Sequence, residues 1–373
     1  MLEAVVLLEN LKKGVILTQH AVSQRSQLPI LLNFLLEAGK EGFFISATDL
    51  EIGIKIKIPA KIKSEGRVSV GARTFSELIA SLSQEKIEIT EKDGKLNLSS
   101  EKIKTSFPTT PAEEFPKLYQ EKGDKRATFT KKNFEKEIAR VVFAASQDIG
   151  RPALSGVYIE KEGGEDGISL VAADGFRLSL KKNFAKGAFG KKEDQKYLIP
   201  VRVIKEIQGA KQEEGDVELF ASSKSNQVLF EFSDAQIVGR LIEAEYPDYK
   251  KIIPQDFETQ ALFDRGEALA AVRTCLVFAK EAANIIKMSV GGGKLIFRTS
   301  ASSVGENEAE VDAKTTGEEN EIAFNGRYLL EFLSAIDDDD VSFEMTGPLN
   351  PGVFKLPKDP DYLHIIMPIR VQE

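Results

Sequence analysis

Histidine and cysteine, the side chains that most often carry nucleophilic, acid–base or zinc chemistry, are scarce in this chain of 373 residues. The histidines are His20 and His364, and the one cysteine is Cys275. Neither histidine has a second ligand at a metal-binding spacing, one cysteine cannot complete a zinc set, and no catalytic triad can be assembled. His364 lies between two apolar residues, which favours a structural role in a strand. We therefore expect a binding protein with no cofactor or metal, and not an enzyme.

Two other segments have the composition of a ligand site without its spacing. The run Asp337–Asp340 lacks the alternating ligands of a calcium loop and is typical of a solvated turn. The run Gly291–Lys294 contains the glycines and lysine of a phosphate cradle, but no Ser or Thr follows the lysine. The apolar residues Leu295–Phe297 come next and predict a strand, where a phosphate loop needs a helix. We therefore predict a hairpin turn at the glycines.

Basic side chains, in contrast, recur at a regular spacing. Arg73, Arg202 and Arg327 each follow a short apolar strand and open an amphipathic helix, and they are 129 and 125 residues apart. Asp49 and Asp174 lie in similar segments 125 residues apart. Because one third of the chain is about 124 residues, these spacings predict three tandem copies of one domain-sized fold.

The repeated unit combines two helices with antiparallel strands. In the first third, alternating isoleucines predict the strand Glu51–Ile58, and the turn Lys92–Lys95 predicts a hairpin. We expect helices at Asn10–Ser23, with Asn10 as the N-cap, and at Thr74–Leu82. Pro29 should exclude a helix and leave Ile30–Glu37 as a strand. Since helices can cover only one face of such a sheet, the predicted fold class is α+β, with two helices packed on antiparallel sheets in each unit.

Polar or proline-containing segments separate the units. We take 121–125 as the first linker and Tyr246–Pro254 as the second, which predicts domains at 1–122, 126–247 and 255–373. In the second domain, helices are expected at 133–145 and 201–210.

The charge is unevenly distributed. Fifty basic and 58 acidic residues give a net charge of −8, which alone disfavours a nucleic-acid partner. However, several predicted helices, such as 131–140, are relatively basic, whereas carboxylates concentrate in 162–166, 306–310 and 318–321. This distribution allows DNA to contact the helices, although an ordinary solvated helix face has the same pattern. The lone cysteine, the absence of a long apolar run and the lack of a secretory leader favour a cytoplasmic location.

Four segments, in order along the chain, resemble the bacterial DNA polymerase III β subunit family of sliding clamps. They are Leu28–Leu31 with Ala47–Glu51, Ala172–Leu178, Tyr246–Pro254 and Ile365–Arg370. The resemblance covers essentially the whole chain. It implies three clamp domains per chain, which form half of a six-domain ring closed by a head-to-tail homodimer. It also implies that the ring encircles duplex DNA and tethers the replicative polymerase, the clamp loader and repair proteins through linear peptide motifs, with no membrane partner.

The resemblance also implies three sets of functional residues. Arg25 and Arg73 match basic positions near DNA, and helix placement adds Lys136, Arg140, Arg202, Lys205 and Lys280. The partner-peptide groove comprises Leu154, Ala173, Gly175, Phe176, Arg177, Leu178, Pro247, Lys251, Ile252, Tyr328, Ile365, Met367, Pro368, Ile369 and Arg370. The dimer contact comprises Lys102, Lys104, Phe107, Leu276, Val277, Glu306, Glu308 and Glu310.

The chain departs from the family pattern at Ala173, Phe176 and Lys251, where Thr, His and Arg are frequent, and its C-terminus extends beyond Arg370. These departures affect the expected peptide preference. Two alternatives remain open at this point: a peptide-binding scaffold of the same fold that does not encircle DNA, and a hydrolase or nucleotide-binding enzyme that uses the acidic loops.

Overall fold

The computed structural model describes residues 1–119, 121–148, 150–161, 167–184, 195–209 and 215–370. Three sequence predictions fall outside these ranges. They are the acidic loop 162–166, the end of the expected helix at 210, and the C-terminal extension 371–373.

Each third of the chain contributes two helices to the described structure. They are α1 Leu8–Thr18, α2 Ala72–Ser81, α3 Lys131–Val142, α4 Val201–Gly209, α5 Arg265–Ala279 and α6 Gly326–Ala335.

The strands follow the same order in each third. The first third has β1 Glu3–Leu7, β2 Asn33–Gly39, β3 Gly42–Thr48, β4 Ile52–Ile58, β5 Ala60–Ser64, β6 Gly66–Gly71, β7 Lys86–Lys92, β8 Lys95–Ser99 and β9 Lys104–Thr110. The middle third has β10 Asp124–Thr130, β11 Gly156–Lys161, β12 Ser169–Ala173, β13 Arg177–Lys181, β14 Gln195–Pro200, β15 Asp216–Ser222, β16 Gln227–Glu231 and β17 Ala235–Arg240. The last third has β18 Thr259–Asp264, β19 Ile285–Gly291, β20 Lys294–Ala301, β21 Gly305–Gly317, β22 Asn320–Asn325, β23 Asp340–Met345, β24 Gly352–Leu356 and β25 Asp359–Ile366.

The element order confirms the predicted triplication. Every third runs strand, helix, four strands, helix and three strands, except that the first third has the additional strand β5 in its first run. All strand pairs in the described ranges are antiparallel. The predicted α+β class is therefore confirmed.

The described residues form two compact units, each built on one sheet. Unit 1 comprises Met1–Lys132 and Arg202–Leu241, and its strand order is β10-β15-β16-β17-β4-β3-β2-β6-β9-β8-β7-β1-β5. Unit 2 comprises residues 133–201 and 242–373, and its strand order is β14-β11-β12-β13-β25-β24-β23-β18-β21-β20-β19-β22. The middle third contributes to both units because β17 pairs with β4 and β13 pairs with β25. The proposed domain boundaries remain a prediction.

Several predicted element ends were wrong in the first third. Helix α1 begins at Leu8, before Asn10, because the Leu8 amide donates to the carbonyl of Glu85 at 3.0 Å and needs no side-chain cap. Pro29 opens a 3-10 turn that ends at Leu32, and the following strand starts only at Asn33. Proline suits a first helical position because its φ is preset and its missing N–H would be unpaired there.

Two other predictions are confirmed. Gly292 and Gly293 have positive φ angles and form the turn between β19 and β20. His364 is fully buried, its Nδ1 lies 2.7 Å from the Ser179 hydroxyl, and burial lowers its pKa well below the ordinary value. Its ring stacks on Phe332 at 4.7 Å, so it packs the core.

The described ranges contain no cluster of three or more His, Cys, Asp or Glu residues that could hold a metal ion. None of their helices is long and apolar enough to cross a membrane.

Candidate functional site

The pairing of β13 with β25 joins the middle third to the last third within unit 2. Leu178 lies opposite Ile365 in this pair, and both side chains belong to one buried apolar cluster that also contains Ala173. Leu154 packs against the same cluster from a 3-10 turn. The structure therefore brings together four residues that the resemblance assigned to the partner groove.

A tight turn between β12 and β13 forms the rim of this cluster. The Asp174 carboxylate accepts backbone N–H bonds from Phe176 at 2.8 Å and Arg177 at 3.0 Å. Gly175 has φ of +91°, a conformation that side chains with a β-carbon rarely adopt. This turn leaves the Phe176 side chain 54% exposed, which is unusual for a large apolar residue.

Other apolar side chains are exposed next to this rim. Met367 donates its N–H to the Phe176 carbonyl at 2.8 Å, and its own side chain is exposed. Ile252 is also exposed, on a 3-10 turn whose first residue, Tyr249, is buried in the apolar cluster. A patch of this kind on an otherwise packed surface is typical of a binding site.

Arg177 supports the patch from within. Its side chain is only 7% exposed, and its guanidinium pairs with Asp174 at 3.1 Å and Glu331 at 2.6 Å. It also donates to the Phe143 carbonyl at 2.8 Å and lies 4.5 Å from the ring centre of Tyr328. Burial and the nearby Asp174 raise the pKa of Tyr328. Because Asp174, Glu331 and the Phe143 carbonyl hold the guanidinium in place, Arg177 fixes the position of the Tyr328 ring beside it.

The remaining predicted groove residues are accessible to different degrees. Lys251 is exposed and forms a 3.0 Å ion pair with Asp248, and Pro247 and Arg370 are exposed as well. Pro368 and Ile369 are partly buried, and the Ile369 N–H donates to the Ala323 carbonyl at 2.8 Å.

The pairing of β4 with β17 forms a matching junction in unit 1. The Asp49 carboxylate accepts N–H bonds from Glu51 at 3.0 Å and Ile52 at 2.9 Å, as Asp174 does in unit 2. Leu50 has φ of +79° at the position that corresponds to Gly175. Arg240 donates its N–H to the Glu51 carbonyl at 2.9 Å, as Met367 does to Phe176.

This first junction carries cations predicted to contact DNA. Arg202, near the start of α4, forms an ion pair with Asp49 and donates to the His20 carbonyl at 2.7 Å. The His20 ring lies 2.6 Å from the Glu206 carboxylate. Arg202 remains 45% exposed.

The same side chains line a cavity of about 1060 Å³. Arg73, near the start of α2, also lines it, is 92% exposed and pairs with Glu77 at 3.1 Å. Two further predicted cations, Arg25 and Lys205, are exposed in the loop after α1 and on α4. The helices of unit 1 therefore present a set of accessible positive charges.

Two of the three predicted DNA contacts in unit 2 are exposed. Lys136 lies on α3 and pairs with Asp337 at 3.3 Å, and Lys280 follows the last residue of α5.

The prediction that Arg140 contacts DNA is wrong. Its side chain is 3% exposed and binds three carboxylates, those of Asp337 at 2.6 Å, Asp359 at 3.0 Å and Asp338. Burial raises the pKa of Asp337, but hydrogen bonds from Arg140 and Lys136 outweigh this effect and lower it to about 2. The Asp337–Asp340 run is therefore partly an ion-pair partner and not simply a solvated turn.

Family models match all three thirds of the chain. The N-terminal, central and C-terminal domains of the DNA polymerase III beta subunit match residues 2–119, 128–248 and 250–370. The chain belongs to the DNA polymerase III β subunit family.

Individual relatives of the chain agree with this assignment. The beta sliding clamp of Staphylococcus aureus is 28% identical over 365 residues, and that of Caulobacter vibrioides is 29% identical over 360 residues. Each match covers 95% of both chains. The crystal structure of the Bacillus subtilis DNA polymerase sliding clamp superposes with a TM-score of 0.92 at 25% identity, and the β subunit of Thermotoga maritima with 0.88 at 27%. Both structural matches cover the full length of each chain.

Most of the residues predicted for the dimer contact are exposed: Lys102, Lys104, Val277, Glu306, Glu308 and Glu310. Two are not. The Phe107 ring is buried 5.8 Å from that of Phe75, and Leu276 is buried in the core beneath α5. These two side chains pack within their own units, and the assignment of all eight residues to a dimer contact stays a prediction.

The sequence patterns did not identify the residues that hold the second linker in place. The Tyr249 hydroxyl donates to the buried Glu160 carboxylate, and the rings of Tyr158 and Tyr246 stack at 4.6 Å. Burial and the Glu160 hydrogen bond raise the pKa of Tyr249. Both linker tyrosines lie in the segment that resembles the family, but Glu160 lies in a strand with no motif that could identify it.

Proposed function

We propose that this protein is a DNA sliding clamp for replication, which closes around duplex DNA as a homodimeric ring. It acts as a tether and not as an enzyme. Partner proteins bind through the groove of unit 2, and the lone thiol of Cys275 fits the reducing cytoplasm in which we propose that it works. Membership of the β subunit family supports the clamp function.

One observation on strand pairing supports the proposed ring. The third strand after the first helix of one third pairs with the last strand of the next third, as β4 does with β17 and β13 with β25. By the same rule, two strands are left over. They are β21, the third strand after the first helix of the last third, and β9, the last strand of the first third. In the described structure, β21 pairs only with β20 over residues 305–312, and β9 pairs only with β8 over residues 104–108. Each strand therefore has an open edge there.

A second copy of the chain fits these two edges. If β21 of one copy pairs with β9 of the other, the same junction forms twice and a two-fold dimer closes. Closure also covers open edges that would otherwise favour aggregation. The charges are complementary, because Lys102 and Lys104 would meet the exposed carboxylates of Glu306, Glu308 and Glu310.

The cations that we retain for DNA contact are Arg25, Arg73, Lys136, Arg202, Lys205 and Lys280. Lysine and arginine bind backbone phosphates without reading the base sequence, and the affinity of such contacts decreases as salt is added. A closed ring holds DNA by topology, so individual contacts can be weak.

The groove suits short linear peptides from the replicative polymerase, the clamp loader and repair proteins. The Met367 thioether side chain is flexible and polarisable, and Phe176 and Ile252 add exposed apolar surface. Such a surface can repack around peptides of different sequence.

Solution mass and retention on circular DNA test this function. We expect a stable species near twice 41.2 kDa that a clamp loader places on circular DNA and that linearisation releases. Charge reversal at Arg25, Arg73 and Arg202 should prevent loading on circular DNA, whereas the Lys102 and Lys104 reversals should give monomers. A strict monomer at high concentration would contradict the ring. No retention of the unmodified protein on circular DNA would favour the scaffold that does not encircle DNA.

A further inference from the structure

Half of the cations proposed to meet DNA already bind a carboxylate of the same chain. The pairs are Arg73 with Glu77, Arg202 with Asp49, and Lys136 with Asp337. The first two pairs line the same cavity in unit 1. A phosphate that approaches either arginine there meets a cation whose charge is already partly compensated.

The position of Asp49 is set by the fold and not by its arginine. One carboxylate oxygen accepts the N–H groups of Glu51 and Ile52 in the turn before β4, and the other faces Arg202. The Asp49 side chain is largely buried, so it cannot swing away when DNA arrives. Arg202 is also held through the His20 carbonyl at 2.7 Å.

A carboxylate paired with an arginine changes the net number of ions that are released when the arginine binds DNA. A free arginine that binds a phosphate releases counterions from the DNA. A paired arginine must first give up its carboxylate, which then takes up a cation from solution, so both the affinity and the net ion release are smaller.

We propose that Asp49 and Glu77 compete with DNA phosphate for Arg202 and Arg73, and that this competition keeps each contact weak enough for the clamp to slide. The inference rests on the proposed function, since it concerns the strength of the same DNA contacts. Asp49 has the larger effect because it is fixed in place and largely buried, whereas Glu77 is an exposed helix partner four residues from Arg73.

The test removes each negative charge and keeps the shape. In Asp49→Asn the amide oxygen still accepts the two turn N–H bonds, and Glu77→Gln changes only an exposed helix position. Glu113→Gln is the matched control, because Glu113 forms an exposed 3.0 Å ion pair with Arg67, which is not among the proposed DNA contacts. All three variants change the net charge equally. Binding to a short linear duplex is measured by fluorescence anisotropy over a series of sodium chloride concentrations.

We expect Asp49→Asn to bind the duplex about twofold to fivefold more tightly at low salt, the range that a partly exposed ion pair supports. Glu77→Gln should show a smaller gain, and Glu113→Gln should match the unmodified protein. The plot of log affinity against log salt should steepen by up to about 0.9 for each arginine that is freed. Loaded on stretched DNA, the variants should diffuse more slowly in the same order.

Two failures can be told apart. If the unmodified protein binds the duplex no better than a variant with Arg73→Glu and Arg202→Glu, the proposed DNA contacts themselves are absent. If it binds better than that variant, but Asp49→Asn and Glu77→Gln both match Glu113→Gln in affinity and salt slope, only the competition is disproved. Because Glu77 is exposed, Glu77→Gln decides the question even if Asp49→Asn folds poorly.

Discussion

The two strand junctions, β4 with β17 in unit 1 and β13 with β25 in unit 2, share a backbone plan but use charge differently. In each, an arginine donates to a carbonyl just after a first helix, Arg202 to His20 after α1 at 2.7 Å and Arg177 to Phe143 after α3 at 2.8 Å. Arg202 comes from a helix and is 45% exposed, whereas Arg177 comes from a strand and is 7% exposed. Matching carbonyl contacts therefore come from an available cation in one junction and from a structural anchor in the other.

The contacts beneath α3 in unit 2 and α1 in unit 1 also differ in their use of charge. In unit 2, Arg140 on α3 and Lys181 on β13 share the Asp359 carboxylate, at 3.0 and 2.6 Å. In unit 1, Gly14 on α1 packs so closely that an added β-carbon would lie 2.7 Å from Ile58 on β4. The comparison shows that one fold can build a junction on buried ion pairs or on apolar contact.

The largest effect should come from the ion pairs of unit 2. Replacement Arg140→Ala removes the buried cation that Asp337, Asp338 and Asp359 share, and we expect the free energy of unfolding to fall by about 3–5 kcal/mol. Urea denaturation measures this change. The control is Arg73→Ala, an exposed surface cation, for which we expect less than about 0.5 kcal/mol. Equal effects of the two substitutions would mean that the buried network does not stabilise unit 2.

A smaller effect on stability is expected from the Tyr249–Glu160 hydrogen bond, which holds the second linker in place in unit 2. Tyr249→Phe removes the hydroxyl that donates to buried Glu160, which should reduce the free energy of unfolding by about 1–3 kcal/mol. Because this bond anchors the turn that carries Ile252, partner peptides should also bind more weakly. Calorimetric titration with a partner peptide measures the second effect. Tyr119→Phe, at a partly buried tyrosine just before the first linker, is the control and should leave both quantities unchanged.

The ion pairs should also make stability depend on pH. The pKa of Asp337 is lowered from its ordinary value of 3.8 to about 2 in the folded protein, so its contribution is complete above about pH 4. That contribution is lost as pH falls from about 4 towards 2. Burial raises the pKa of Glu137, which opposes this trend because its protonation relieves an unfavourable buried charge. Thermal unfolding of Asp337→Asn should therefore show a shallower acid decline than the unmodified protein.

The exposed hairpin residue Asp93 provides the comparison for this measurement. Asp93→Asn removes the same charge from a turn outside the network and should retain the full acid decline. An identical pH profile for both variants would show that Asp337 is not a source of the decline.

The smallest expected effect concerns the two matching turns. Gly175→Ala forces a β-carbon into a left-handed conformation and should destabilise unit 2 by about 1 kcal/mol, whereas Leu50→Gly should relieve a similar strain in unit 1. The gain from glycine is partly offset by its greater freedom in the unfolded chain. Denaturation midpoints should move in opposite directions, and a loss of stability for Leu50→Gly comparable to that for Gly175→Ala would contradict the correspondence.

Much of the fold could be predicted because its signals are local. Alternating isoleucines mark β4, the Asp-Gly pair marks the turn between β7 and β8, and Asp49 and Asp174 mark the two matching turns. The predicted Asn10 cap was wrong because the first amide of α1 is satisfied by Glu85, which belongs to a different part of unit 1. The groove residues came from resemblance, and the structure adds Tyr158 and Glu160, which carry no motif.

The sequence by itself determined the triplication and the family, because a repeat period and ordered segments survive in one dimension. Only the tertiary structure decided which cations are available. Arg140 and Arg202 both lie on amphipathic helices. Arg140 is buried and pairs with Asp338, whereas Arg202 is exposed and pairs with Asp49. These carboxylates lie 198 and 153 residues away along the chain. A partner at that distance leaves no local pattern in the sequence. Whether the paired arginine remains available also depends on its burial, which is set by tertiary packing.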